Sequence, residues 1–171
     1  MGVVLMGYRG CGKTSIGRKI ADRLWCEFRD TDEMVVAAAG MPIAEIFALR
    51  GEAFFRDTEA DVLAEALTHT ADVVSLGGGA VVRESNQSLI AGAGFSRIYL
   101  RCDAEELHRR IHADPATASA RPALTAMGGG IDEVRSVLAV REPIYRRLAT
   151  AELDVTNLSI DEAVIRVTKL I

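Results

Sequence analysis

The sequence predicts one α/β domain, a parallel sheet covered by helices on both faces, and three observations carry that prediction. Short apolar runs alternate with longer stretches of helical period, the order expected of a doubly covered parallel sheet. The first apolar run leads directly into a glycine-rich turn that opens a helical segment. At 171 residues and 49% hydrophobic positions, the chain can bury one substantial core and is short for two, so residues 1–171 are taken as a single domain.

Five candidate strands follow in order: Val3–Met6, then residues 27–29, 73–76, 98–101 and 153–156. Between them Lys13–Leu24 has helical period, residues 42–49 form a short helix with Pro42 in its first turn, and residues 52–67 form a longer one. Asp103-x-x-Glu106 and Ser159-x-x-Glu162 have capping-box spacing, which predicts helices running to about Ile111 and to the C-terminus. Residues 112–130 break the rhythm with Pro115, Pro122 and Gly128-Gly129-Gly130, and a stretch of this length inside a compact domain predicts a mobile lid. Trp25, the lone tryptophan, is expected to be a packing residue, and His108 and His112 a solvated helix face.

Composition narrows the function classes. A formal charge of −4 and a pI near 5.4 provide no basic field for a nucleic acid, so the expected partner is a small molecule. Residues 1–5 run straight into the first strand with no basic leader or long apolar stretch, which leads to the expectation of a soluble, cytoplasmic protein with no membrane partner. Cys11, Cys26 and Cys102 lack C-x-x-C spacing, consistent with a reduced compartment rather than a disulfide framework or a zinc site.

Gly7-Tyr8-Arg9-Gly10-Cys11-Gly12-Lys13-Thr14 matches G-x-x-x-x-G-K-[ST] between a strand and a helix, the context a phosphate-binding loop requires. Its glycines let successive backbone N–H groups, from Gly10 through Ser15, turn toward phosphate oxygens at the positive end of the following helix. Lys13 is expected to reach the β- and γ-phosphates of ATP, and the Thr14 hydroxyl to hold Mg²⁺.

Further motifs speak to the acceptor. Asp30-Thr31-Asp32 ends the second strand, where ligands gather in open α/β sheets, and offers one carboxylate for water around a metal and another for an acceptor hydroxyl; the plain alternative is a helix cap or turn. Gly51-Glu52-Ala53-Phe54-Phe55-Arg56 and Glu59 place Arg56 and Glu59 one helical turn apart, where a surface ion pair is the plain alternative. Gly77-Gly78-Gly79 closes an apolar strand and lets backbone approach a ligand.

Taken in order, these motifs, with Arg121-Pro122 in the lid and Arg141-Glu142-Pro143-Ile144-Tyr145, resemble the shikimate kinases over nearly the whole chain. That resemblance implies a single P-loop domain with a five-stranded parallel sheet in the order 2-3-1-4-5, an acceptor region at about residues 30–60, a monomer, and transfer of the ATP γ-phosphoryl group to the 3-hydroxyl of shikimate in chorismate biosynthesis. It further implies that Asp32 orients the acceptor hydroxyls and serves as or assists the base, Arg56 and Arg141 clamp the carboxylate, and Gly78 and Gly79 lend backbone contacts. Asp30, with Ser75, would organise water around Mg²⁺; Arg121 would meet the phosphates; Arg109 or Arg110 and residues 156–158 would enclose the adenine. The pattern departs from the family at Ala123 and in a longer segment from Arg110 to Arg121. Two other readings stay open at this point: a gluconate-type kinase of the same architecture, and a nucleotide-binding regulatory module without catalysis.

Overall fold

The computed structural model describes residues 2–113 and 130–171. Its elements run β1 Val3–Met6, α1 Lys13–Leu24, β2 Phe28–Asp30, α2 Thr31–Ala39, α3 Ile43–Leu49, α4 Gly51–Ala66 and β3 Val73–Ser75; a short 3₁₀ turn, Ala80–Val82, follows. After it come α5 Glu84–Gly92, β4 Ser96–Arg101, α6 Ala104–Ala113, α7 Ile131–Leu148, β5 Ala151–Asp154 and α8 Ile160–Thr168. The five strands pair in the order β2-β3-β1-β4-β5, every pair parallel, as the sequence reading expected.

Strand β1 is the centre of the sheet and all of its residues are buried, which is why it reads as an unbroken apolar run instead of an alternating one. Its side chains divide by parity. Val3 and Leu5 join Ile98 and Leu100 beneath Ile16 and Ile20 of α1 and Val164 and Val167 of α8. On the other face Val4 and Met6 meet Tyr99, Leu63 of α4, Ile90 of α5, and Tyr145 and Leu148 of α7. Helix α7 spans both layers, because Val134 near its start belongs to the first cluster. A separate small cluster, Val35, Ile43, Ile46, Phe55 and Val62, joins α2, α3 and α4 away from the sheet.

Several boundaries and one residue depart from the sequence reading. β2 and β5 are displaced by one and two residues from the expected 27–29 and 153–156. The sequence reading gives no helix at α2, α5 or α7, and α7 runs through Pro143, which follows the third turn. Trp25 is no packing residue: it is 95% exposed and sits at the C-terminus of α1 with φ 56°, the left-handed conformation that ends a helix. Most of the expected lid, with Pro115, Arg121, Pro122 and Ala123, lies outside the described residues. No helix among the described residues is long and apolar enough to cross a membrane.

Candidate active site

The carboxyl ends of β1, β2 and β3 converge on one edge of the sheet, and each continues into a motif singled out above. β1 runs into the phosphate loop. Gly7, Gly10 and Gly12 have φ of 148°, 83° and 95°, conformations that side-chain-bearing residues rarely adopt. Gly12 is the N-cap of α1, with no side-chain cap and no acidic residue in the first turn, so its first N–H groups remain directed at the loop's concavity. By contrast α2 is capped by Asp30 and α8 by the Ser159–Glu162 capping box. The Lys13 ammonium is buried and donates to the carbonyls of Gly7 at 2.9 Å and Tyr8 at 3.0 Å, with Cys11 Sγ at 3.7 Å. A buried ammonium among neutral groups and an uncapped helix start together suit a polyphosphate. Ser15, in the first turn of α1, is exposed.

Asp30 caps α2 and reaches the phosphate loop as well. One carboxylate oxygen accepts from the Asp32 N–H at 3.0 Å, capping α2, and the other accepts from Thr14 Oγ1 at 2.8 Å. The Thr14–Asp30 pair thereby joins the phosphate loop to β2 and presents hard oxygen donors, the chemistry that Mg²⁺ prefers. Ser75 is buried at the end of β3, in register with Asp30. Thr31 supplies a tie that the sequence reading did not single out: its hydroxyl accepts from the Gly77 N–H at 2.8 Å, fixing the aspartate turn to the glycine strip.

The glycine strip is packed on the charged groups themselves. A Cβ at Gly77 would lie 2.6 Å from Asp32 Oδ1, and one at Gly79 2.8 Å from Arg56 Nη1. One at Gly78 would lie 3.7 Å from Arg141 Nη1. A side chain is therefore crowded at Gly77 and Gly79 but not at Gly78, and the guanidiniums of Arg56 and Arg141 stand over successive residues of the strip. Gly77, which packs on Asp32, thus joins Gly78 and Gly79 as a candidate site position.

Arg56 is held by Glu59 at 2.8 Å and by Glu52 at 3.4 Å. The first contact is no ordinary surface pair, because the Glu59 side chain is only 2% exposed. Burial pushes the Glu59 carboxyl above its ordinary value, against the pull of the Arg56 guanidinium. Arg83 donates to the Arg56 carbonyl at 3.1 Å and pairs with Asp57, bracing the same turn of α4. On α7, the Tyr145 hydroxyl donates to the Gly78 carbonyl at 2.5 Å; burial pushes its phenol up, so it remains a donor at neutral pH.

At the far end of the loop, Arg110 donates to the carbonyls of Val155 and Thr156 at 3.0 and 3.1 Å and to Glu106 at 2.7 Å. Hydrogen bonds from Arg109 and Arg110 hold the Glu106 carboxyl down to about 2. Arg109 is exposed and turned toward Glu106, so of the two arginines it is Arg110 that meets the late loop. Arg121 lies outside the described residues.

Comparison with known proteins points to one family. A family model described as shikimate kinase matches residues 9–171. A shikimate kinase of Rhodopirellula baltica is 39% identical over 165 residues, which cover 96% of this chain and 87% of that protein. Among solved structures, shikimate kinase from Acinetobacter baumannii in complex with shikimate superposes with a TM-score of 0.91 at 28% identity, covering 99% of this chain and 91% of that one. A gluconokinase from Sinorhizobium meliloti superposes with a TM-score of 0.66 at 20% identity, covering 99% of this chain and 90% of that one, a likeness of fold alone.

Proposed function

The chain belongs to the shikimate kinase family, phosphotransferases that use ATP and an alcohol acceptor, and from that membership we propose that it phosphorylates the 3-hydroxyl of shikimate with Mg²⁺ as the assisting metal. The observation that carries the substrate assignment is the pair of guanidiniums, Arg56 and Arg141, over adjacent glycines at the mouth of the phosphate loop. Two planar donor forks suit the carboxylate of a small hydroxy acid, and a neutral polyol would leave them unmatched.

In this reading ATP supplies the phosphoryl group, and a bound Mg²⁺ would supply charge neutralisation at the phosphate oxygens. Lys13 and the loop N–H groups bind the phosphates, and Thr14 and Asp30 would hold the metal, Asp30 through water. Arg56 and Arg141 fix the acceptor by its carboxylate, while the backbone of Gly78 and Gly79 lines its seat. Asp32, against Gly77 and within the field of Glu59, takes or orients the proton of the reacting hydroxyl. Glu59 keeps Arg56 extended toward the glycine strip. Arg110 and residues 155–156 form the adenine side.

The test is ADP formation by purified protein with ATP and Mg²⁺ in the presence of shikimate, quinate, gluconate or no acceptor, with the product identified by mass and NMR. Shikimate 3-phosphate is the expected product. A gluconate product would keep the kinase and overturn the substrate, and turnover with none of the acceptors would favour a regulatory nucleotide-binding module.

A further inference from the structure

We propose that Arg9 and Glu133 are positioning residues for phosphoryl transfer, a buried ion pair that holds the outer turn of the phosphate loop against the helix carrying Arg141 and so sets the spacing between the nucleotide and the acceptor. The inference rests on the function proposed above. Arg9 lies inside the loop, between Tyr8, whose carbonyl accepts from Lys13, and Gly10. Its Nη2 is 3.3 Å from Glu133 Oε1, with side-chain exposures of 8% and 0%. The loop motif leaves this position open to any residue, so a buried arginine there answers to something other than phosphate cradling.

Taking two charges out of water costs several kcal/mol per ion, and well-packed apolar residues of the same volume are often as stable or more so. Stability is therefore a weak reason for this pair. Position is a stronger one. Glu133 is in the first turn of α7, and Arg141 follows eight residues later, about 12 Å along a helix rising about 1.5 Å per residue. Four residues beyond, Tyr145 is tied to the Gly78 carbonyl. A Cβ at Gly78 would also lie 3.5 Å from the Arg9 backbone nitrogen, so loop and glycine strip face each other across little more than the width of a methyl group.

The helix is thus fixed at its start to the nucleotide side and near its end to the acceptor side, with Arg141 between the two ties. It also packs into the sheet's two opposite layers, through Val134 in one and Tyr145 and Leu148 in the other. Releasing the first tie lets the rod turn about the second and moves Arg141 relative to the phosphates. Transfer is sensitive to such shifts, since a misplacement of about 1 Å can cost on the order of 10²-fold in rate.

The experiment compares wild type, Glu133→Gln and the double variant Arg9→Met/Glu133→Leu. It measures melting temperature, direct ADP·Mg²⁺ affinity, KM for shikimate, and kcat per folded molecule. The double variant should melt within about 3 °C of wild type, because an apolar replacement of the pair is close to neutral. Its kcat should fall about tenfold or more, with ADP affinity and shikimate KM each changed less than about threefold, the pattern of lost alignment between intact halves. If the double variant melts far lower, Glu133→Gln, which keeps the shape of the side chain, bears the same test on kcat. A kcat within twofold of wild type in the folded variants overturns the inference alone. A wild-type protein without shikimate-dependent turnover overturns the proposed function, and this inference with it.

Discussion

The phosphate loop is one contiguous stretch, Gly7 to Thr14, hung between the fully buried β1 and a helix seated on the main core, whereas the proposed acceptor side gathers Asp32, Arg56, Gly79 and Arg141 from four separated segments. The first depends on backbone conformation, set by glycines at positive φ. The second depends on paired charges and on a small cluster of its own, built from α2, α3 and α4. On the proposed function, a site divided in this way could change its acceptor while the nucleotide seat stays as it is, because the satellite cluster and the glutamates that brace Arg56 include no loop residue; the loop meets the other half through Thr14–Asp30 and Arg9–Glu133.

That contrast can be broken or sharpened by a graded set of substitutions. The largest effect belongs to Asp32→Asn, for which kcat should fall roughly 10³-fold, within the range for a positioned base, while ADP affinity stays within threefold; full activity would remove Asp32 from the chemistry. Next, Arg56→Ala and Arg141→Ala should each lower kcat/KM for shikimate about 10- to 100-fold, the loss of a charge-assisted pair, without weakening ADP binding. Parallel loss of ADP affinity would show the halves to be one unit. Smaller still are Ile46→Val in the satellite cluster and Ile20→Val in the main core, each costing about 1 kcal/mol of stability. Only the first should raise the shikimate KM, and equal KM changes would dissolve the distinction.

The smallest expected effect is a pH dependence. The Glu59 carboxyl titrates above its ordinary 4.5 in the folded state. Its contribution to stability is therefore full below that ordinary value and is lost as pH rises through the folded value. Glu59→Gln should remove this slope, so the variant's melting temperature should gain on wild type as pH rises through that window. Above that window, where Glu59 is charged, the variant should bind shikimate more weakly, because Arg56 has lost its buried anion. A melting difference independent of pH would mean that Glu59 ionises as it does in the unfolded chain.

Legibility in the sequence followed the same division. The phosphate loop, β1 and α1 were readable because motif, apolar run and helical period lie side by side in the chain. Sheet order came through resemblance, since no local pattern says which strands adjoin. The sequence leaves Asp30 open between a cap and a metal group, and the fold shows the cap on one oxygen and the Thr14 hydroxyl on the other, with the metal role left as part of the proposed function. Helix α2 was missed because it begins at the aspartate turn, where function and capping use the same residues. Helix α7 was missed because Pro143 argues locally against a helix, and tertiary packing of Val134, Tyr145 and Leu148 outweighs that preference. Thr31 and Glu133 carried no signal, because their partners, Gly77 and Arg9, are far away in sequence and meet them only in the fold.

Trp25 has a consequence for anyone who studies this protein in solution. It is the sole tryptophan, and its indole is already almost wholly hydrated in the native state. Its emission maximum should thus lie at long wavelength before any denaturant is added and shift little on unfolding. Fluorescence would then record a nearly flat line through a transition that circular dichroism reports in full. Replacing buried Tyr99 or Tyr145 with tryptophan, in a Trp25→Phe background, would give the folded core a reporter of its own.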